Sequence, residues 1–409
     1  MQKLHLFLFG AALVMLGPAA AQPGDRLTLS RAESLALEND EQLKLQAARI
    51  DARSELTEAA DELPDPKLRL FALNYPTDTF DAGQEPMTQN VVGIRQDFPA
   101  GKSRRIRGLK AEADVREASA QYAQTRGSLL SEVRGLWVDV YELEERLRLV
   151  AGRRDLYQEF LAAALGGYRV GRSTQEQVVS VKVQLATLED REYELQGRID
   201  ARRDELSLWL GDESRLPLPG ELPDSLTRVP EGLSEQHPEL VALEARSEQA
   251  RQEIDLAREA YKPDWALELN YGYRVDRVDL VTLGVTMDLP VFRNKRQDRR
   301  LAASRHELAA ASHALSDRRL SLEAEAKALH SRVQSRDRRI EVYRESILPQ
   351  LRDVVRLTTS DYEQGRVGFS ALLEAREAQI DARESLLALR TGLARDIIEL
   401  RYLAEEMEP

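Results

Sequence analysis

The sequence predicts a mainly α-helical chain with a small β-part, built from one helix–β-hairpin–long-helix unit used twice. Three observations predict it. Apolar residues alternate with period two in short stretches in the early part of each half. Elsewhere they step in heptads over long runs. The same signals then recur in the same order in both halves.

The chain of 409 residues opens MQKLHLFLFGAALVMLGPAAAQPGD. Lys3, a short apolar core and Ala19-Ala20-Ala21 read as a secretory leader over 1–21, with the mature chain starting near Gln22. The bland alternative is a cytoplasmic apolar N-terminus. No other run approaches the ~18 apolar residues of a membrane helix, so entry into a membrane would be by strands. The absence of cysteine excludes disulfides, thiolate chemistry and acylation through a cysteine. A net charge of −12 gives no reason to expect nucleic acid.

The first repeat spans 22–210. Residues 30–62 read as one helix, with Ser30 as N-cap and Glu33 at the capping-box position, stopped by Pro64-Asp65-Pro66. Strands follow over about 66–76 and 89–98, with Val92, Ile94, Gln96 and Phe98 on one face. A long helix covers about 103–165. Its apolar residues Leu129, Val133, Leu136, Val140, Leu143, Leu147 and Val150 step 4-3-4-3-4-3, a supercoiling seam. Gly166-Gly167-Tyr168-Arg169-Val170-Gly171 breaks it. Ser173 or Thr174 caps a return helix over about 173–210, with a seam that includes Val178, Leu188, Leu195, Ile199, Leu206 and Trp209.

Residues 211–230, rich in proline, form a connector. The second repeat, 231–409, restarts with a helix over 234–261 and strands over about 264–274 and 279–289. In WALELNYGY, Trp265, Leu267, Leu269, Tyr271 and Tyr273 take one face. Val281, Leu283, Val285 and Met287 do the same in the next strand. Roughly ten tilted residues cross a bilayer, and aromatic residues suit its interfaces. Alternation alone favours a soluble hairpin; export and the repeat decide for an outward, lipid-facing surface. Long helices follow over about 296–360 and 369–403. Landmarks recur in order: Pro64-Asp65 and Pro263-Asp264, Asp97-Phe98-Pro99 and Asp288-Leu289-Pro290, Gly93 and Gly284, then Tyr168 to Arg172 and Tyr362 to Arg366.

Four strands cannot close a membrane barrel, which needs about eight. Open strand edges in lipid cost several kcal/mol per unpaired amide. A helix of ~90 Å cannot bury its seam inside one compact chain. The chain therefore reads as an oligomer subunit, a strand barrel above a long helical tube.

On these motifs the chain resembles the TolC-like outer-membrane efflux channels of Gram-negative tripartite efflux and secretion machines, over essentially its whole mature length. The resemblance implies a homotrimer with a twelve-stranded barrel in outer-membrane lipid and a periplasmic α-helical barrel below an equatorial belt. Its implied partners are a periplasmic adaptor and an inner-membrane pump of the RND type. The KPDW and LPVFRNKR stretches look most like the heavy-metal cation-efflux branch. A protein-secretion channel of the same fold and a non-pore coiled-coil scaffold are the alternatives. The two helix turns would be adaptor-docking tips, at Tyr168, Gly171, Arg172, Ser173, Tyr362, Gly365, Arg366, Gly368 and Ser370. A helix turn without a partner is the plainer reading. Family members carry an acidic ring after the second tip. Glu374 matches one such position, Ala371 stands where a second acid is often found, and Asp361 and Glu363 lie nearby. Each also reads as an ordinary solvated carboxylate.

Gly166-x-x-x-x-Gly171-Arg172-Ser173 approaches a phosphate loop, but an arginine replaces its lysine and no strand precedes it. His237, His306, His313 and His330 form no paired ligand spacing. The sequence predicts no cofactor, no metal cage and no enzyme.

Overall fold

A computed structural model describes residues 26–171, 173–230 and 232–404. The expected leader over 1–21 and Arg172 lie outside them. Helices α1 (Leu29–Asn39) and α2 (Glu41–Ala60) precede strands β1 (Lys67–Leu73) and β2 (Gln89–Phe98). Helices α3 (Ser103–Arg169) and α4 (Gln175–Leu210) complete the first unit. The second unit is α5 (Pro238–Glu259), β3 (Trp265–Tyr273), β4 (Leu280–Met287), α6 (Gln297–Val342), α7 (Leu348–Glu363) and α8 (Phe369–Ala404). Helix α3 has 67 residues, ~100 Å of helix. Gln297–Glu363 spans the same length, and both return helices have 36 residues.

The single helix expected over 30–62 is two helices, and Ser30 is not its cap. Thr28 caps α1, its Oγ1 accepting the Arg31 N–H at 3.3 Å. Asp40 breaks the run and caps α2, its Oδ1 accepting the Leu43 N–H at 2.7 Å. Glu33 serves no capping box; it is buried and ion-paired to the buried Arg134 of α3. The long helix of the second half is interrupted by a π-helical turn at Tyr343–Ile347. Pro349 follows directly and lacks the N–H that a regular helix would use, which a widened turn accommodates. Glycines 166 and 167 do not break α3, which runs on to Arg169. Strand β1 stops at Leu73 because Asn74 adopts φ 57°.

The four strands form one antiparallel sheet in the order β1-β2-β3-β4. The two halves meet at β2–β3, where Phe98 stands opposite Trp265 and the rings stack at 4.2 Å. The heptad seam of α3 is buried against α4 and α8: Leu129, Val133, Val140, Leu143 and Val150 are all buried. Around Trp137 the seam also takes in α1 and the connector. The Trp137 indole donates to the Leu27 carbonyl at 3.0 Å, and Leu27 N–H donates to Pro217 O at 3.0 Å. Arg31 grips Glu213 at 2.6 and 2.9 Å, while Arg203 holds the Leu216 carbonyl at 2.9 Å. Leu218, Leu222 and Leu226 are buried in the same cluster. The proline-rich segment is thus fastened to the middle of the helices.

His237, at the N-terminus of α5, is 0% exposed, and neither ring nitrogen has a hydrogen bond among the described residues. It meets the Tyr402 ring edge-on at 5.2 Å. Burial pushes its pKa down; Arg318 also lowers it, while Glu239 and Glu325 raise it. The folded chain therefore holds it neutral, and unfolding lets it take a proton. Its contribution is fully present above the unfolded value of about pH 6.5 and is lost progressively as the pH falls from there through the lower folded-state value. Thermal unfolding followed by circular dichroism from pH 7.5 to 5.5 should show the wild type losing up to about 1.4 kcal/mol per pH unit from this group. His237→Leu should lose less over the same range. Trp137→Ala should cost about 3–5 kcal/mol in the same assay at either pH.

Candidate functional site

Three places hold the candidate residues read from the sequence: the two helix turns, the acidic residues beside the second turn, and the sheet. At the first turn Gly171 adopts φ +73°, a left-handed conformation that suits a residue without Cβ. Its N–H donates to the Tyr168 carbonyl at 3.1 Å. Thr174 then opens α4 with a reciprocal capping box. Its Oγ1 accepts the Gln177 N–H at 3.2 Å, and its own N–H donates to Gln177 Oε1 at 3.1 Å. Ser173 lies over the last turn of α3, so close to Gly167 that any side chain there would collide with its hydroxyl. Tyr168 is half-exposed.

The second turn has the same form. Gly365 adopts φ +69°, its N–H donates to Tyr362 O at 2.9 Å, and Arg366 N–H donates to Asp361 O at 2.8 Å. This pair of bonds is a Schellman motif. The Arg366 guanidinium folds back onto the Asp361 carboxylate, with Nε to Oδ1 at 2.9 Å. Gly368 and Ser370 flank Phe369, which opens α8. Phe369 packs edge-on against the buried Phe160 of α3 at 4.1 Å and lies 5.5 Å from Tyr362. Phe160 precedes the end of α3 by nine residues, so this contact sets the two turns side by side at one end of the molecule. Tyr157 donates to Glu377 at 2.7 Å; burial and this bond push its phenol well above the ordinary range and keep it a donor.

The acidic candidates differ in their surroundings. Asp361 is bound by Arg366 and belongs to the turn. Glu363 and Glu374 are exposed, and neither makes an ion pair among the described residues. Ala371 is half-buried on the first turn of α8.

The sheet has two faces of opposite character. Trp265, Leu267, Leu269, Tyr271, Tyr273, Val281, Leu283, Val285 and Met287 are all exposed on one face, each between 39% and 70%. Cross-strand pairing adds Leu68, Leu70, Val92 and Ile94 to it. The other face carries an ionic ladder that sequence reasoning missed. Glu268 receives Arg69 at 2.5 Å and Arg95 at 2.8 Å. Asp97 receives Lys67 at 2.6 Å and Arg95 at 2.7 Å. Gly93 and Gly272 lie on that face beneath Asn270 and Gln89, whose side chains occupy the space a Cβ would need. These residues sit at the alternate positions of the same strands, so the period-two signal contained them. No helix among the described residues is long and apolar enough to span a membrane.

Tip packing rests on Phe160. Phe160→Ala should speed limited proteolysis between 168 and 174 and between 362 and 368 at least tenfold, leaving the sheet's resistance unchanged. Equal cleavage rates would remove the aromatic contact as the tip's anchor.

The outer membrane efflux protein family model matches residues 33–212 and 229–404. The chain is 24% identical to the cobalt-zinc-cadmium resistance protein CzcC of Cupriavidus metallidurans, over 91% of this chain and 88% of that one. It is 22% identical to the outer membrane protein TolC of Vibrio cholerae, over 98% and 95%. Its fold matches a crystal structure of CusC, described as forming a transmembrane channel, with a TM-score of 0.76 at 16% identity, covering 91% of both chains.

Proposed function

Because the chain belongs to the outer membrane efflux protein family, we propose that it is one subunit of a passive exit duct in the outer membrane of a Gram-negative bacterium. Three copies pool their strands into a twelve-stranded barrel, and their helices form a periplasmic tube. The observation that carries this reading is a four-stranded sheet with an apolar exposed face, an ionic opposite face and two open edges. The apolar face meets lipid and the ionic face lines water, the arrangement a membrane barrel requires.

At the far end the tips dock a periplasmic adaptor, which joins the duct to an RND-type pump. Two left-handed glycines, the exposed Tyr168 and Tyr362, and the neighbouring Gly368 and Ser370 present a narrow, close-approach surface to a partner's helical hairpin. Glu374 and Glu363 supply negative charge at the tube mouth, while Asp361 is held by Arg366 and shapes the turn. Opening is a shear of α7 and α8 against α3, with the Phe160–Phe369 contact as the sliding element. The cargo is a heavy-metal cation. The similarity to a cobalt-zinc-cadmium resistance protein supports this, and a wet lumen needs no ligand cage to pass ions.

Planar-bilayer recording tests the mouth. Glu374→Lys should lower cation preference several-fold, and an unmoved preference would take Glu374 out of the constriction. In cells lacking the native gene, Gly171→Val with Gly365→Val should abolish zinc, cobalt and cadmium resistance while assembly in the membrane is retained. Full resistance in that double variant would remove the tips from docking.

A further inference from the structure

Resting on the shared-barrel reading, we infer the register between copies: β4 of one copy pairs antiparallel with β1 of the next so that Val285 stands opposite Leu70 and Met287 opposite Leu68. The repeat supplies the derivation. Asp65 corresponds to Asp264 at the strand starts, and Asp97 to Asp288 at the strand ends. Under that correspondence the pair Lys67–Arg95 of the first hairpin becomes Ala266–Thr286, which is a pair of the second hairpin. The two hairpins are therefore the same object. The join between them, β2–β3, has Phe98 opposite Trp265. Carried on by one repeat, β4 takes the part of β2, and β1 of the next copy takes the part of β3. Leu289 then faces Pro66, Asp288 faces Lys67, and the Met287 and Val285 pairs follow.

Features that did not enter this mapping agree with it. Leu68 and Leu70 lie on the apolar face, as do Met287 and Val285, so the lipid-facing surface continues unbroken across the join. Asp288 and Lys67 are of opposite charge on the other face. The path across paired strands from Lys67 through Arg95 and Glu268 to Gly284 arrives at Phe71 of the next copy, four residues along. Over three copies that stagger equals the number of strands, the relation that gives a tilt of ~36°. Membrane barrels tilt by about 35–45°; a slip of two residues in either direction leaves that range.

The flanks of the join point the same way. Within the chain, Ala100 is buried at 3% exposure and its N–H donates to Asp264 at 2.6 Å. Its counterpart Val291 is 69% exposed, with its N–H turned back on Leu289 O, and Asp65 is exposed. Helix α5 packs between α3 and α6, whereas its counterpart α2 packs on α3 and leaves Leu45 and Leu56 exposed. The preceding copy's α6 and post-strand segment fit these vacant positions.

The chain contains no cysteine, which permits a direct test by paired substitutions. Directly opposed residues of an antiparallel pair have Cα atoms about 4.5–5.5 Å apart, inside the disulfide range; partners two residues off do not. L68C/M287C and L70C/V285C should oxidise into covalent multimers at least tenfold more than the slipped pairs L68C/V285C and L70C/M287C. Single-cysteine variants serve as controls for assembly. Stronger linkage in a slipped pair would overturn this register and leave the shared barrel standing. Linkage in none of the four would overturn the register and the shared barrel together.

Discussion

Two rows of backbone amides, on the outer edges of β1 and β4, determine what this chain can be. Each edge strand leaves roughly half its N–H and C=O groups without a partner in the chain. In water that is tolerable. In the proposed barrel it is not, because the exposed face of Leu68, Leu70, Leu267, Leu269, Leu283 and Val285 meets lipid there, where each open amide costs several kcal/mol. The apolar face and the open edges are satisfied together only when copies join edge to edge.

The helices are long for the same reason that the sheet is small. Each hairpin feeds directly into a helix of ~100 Å, so the sheet and the helix turns sit at opposite ends of a rod. Such a rod needs fastening midway. The fastening is polar as well as apolar: Glu33–Arg134 and Arg31–Glu213 tie α1 to α3 and to the connector around Trp137. Breaking either partner of a buried pair is more damaging than never having had one, so the buried Glu33–Arg134 contact fixes geometry more than it adds stability. The tips have fewer ties, chiefly the Phe160–Phe369 contact and the Asp361–Arg366 pair. A region with few buried contacts is the part of a fold that moves.

Elements with strong periodicity were legible in the sequence. The heptad seam of α3 and the alternation of β3 and β4 dictate which residues are buried or share a face, and both follow from side-chain direction alone. Local chemistry that competes with a periodic signal was not. Asp40 outcompetes the helix that runs through it because its carboxylate offers the Leu43 N–H a better partner. Gly166 and Gly167 look like a break, yet packing of α3 carries the helix through them, and only Gly171 has the positive φ. Long-range pairs left no local trace: nothing near Phe160 announces Phe369, and nothing near Glu268 announces Arg69. Asp361 shows the limit at the second turn. Its position suggested a free carboxylate, and the turn of Arg366 back onto it depends on backbone geometry that spacing does not encode.

Counting the copies in one particle tests the central claim most directly. Native mass spectrometry of the mature protein released from detergent micelles should give a mass three times that of the mature chain, with no stable monomer. A monodisperse monomer, soluble in water without detergent, would contradict a wall built from strands that no single copy can close.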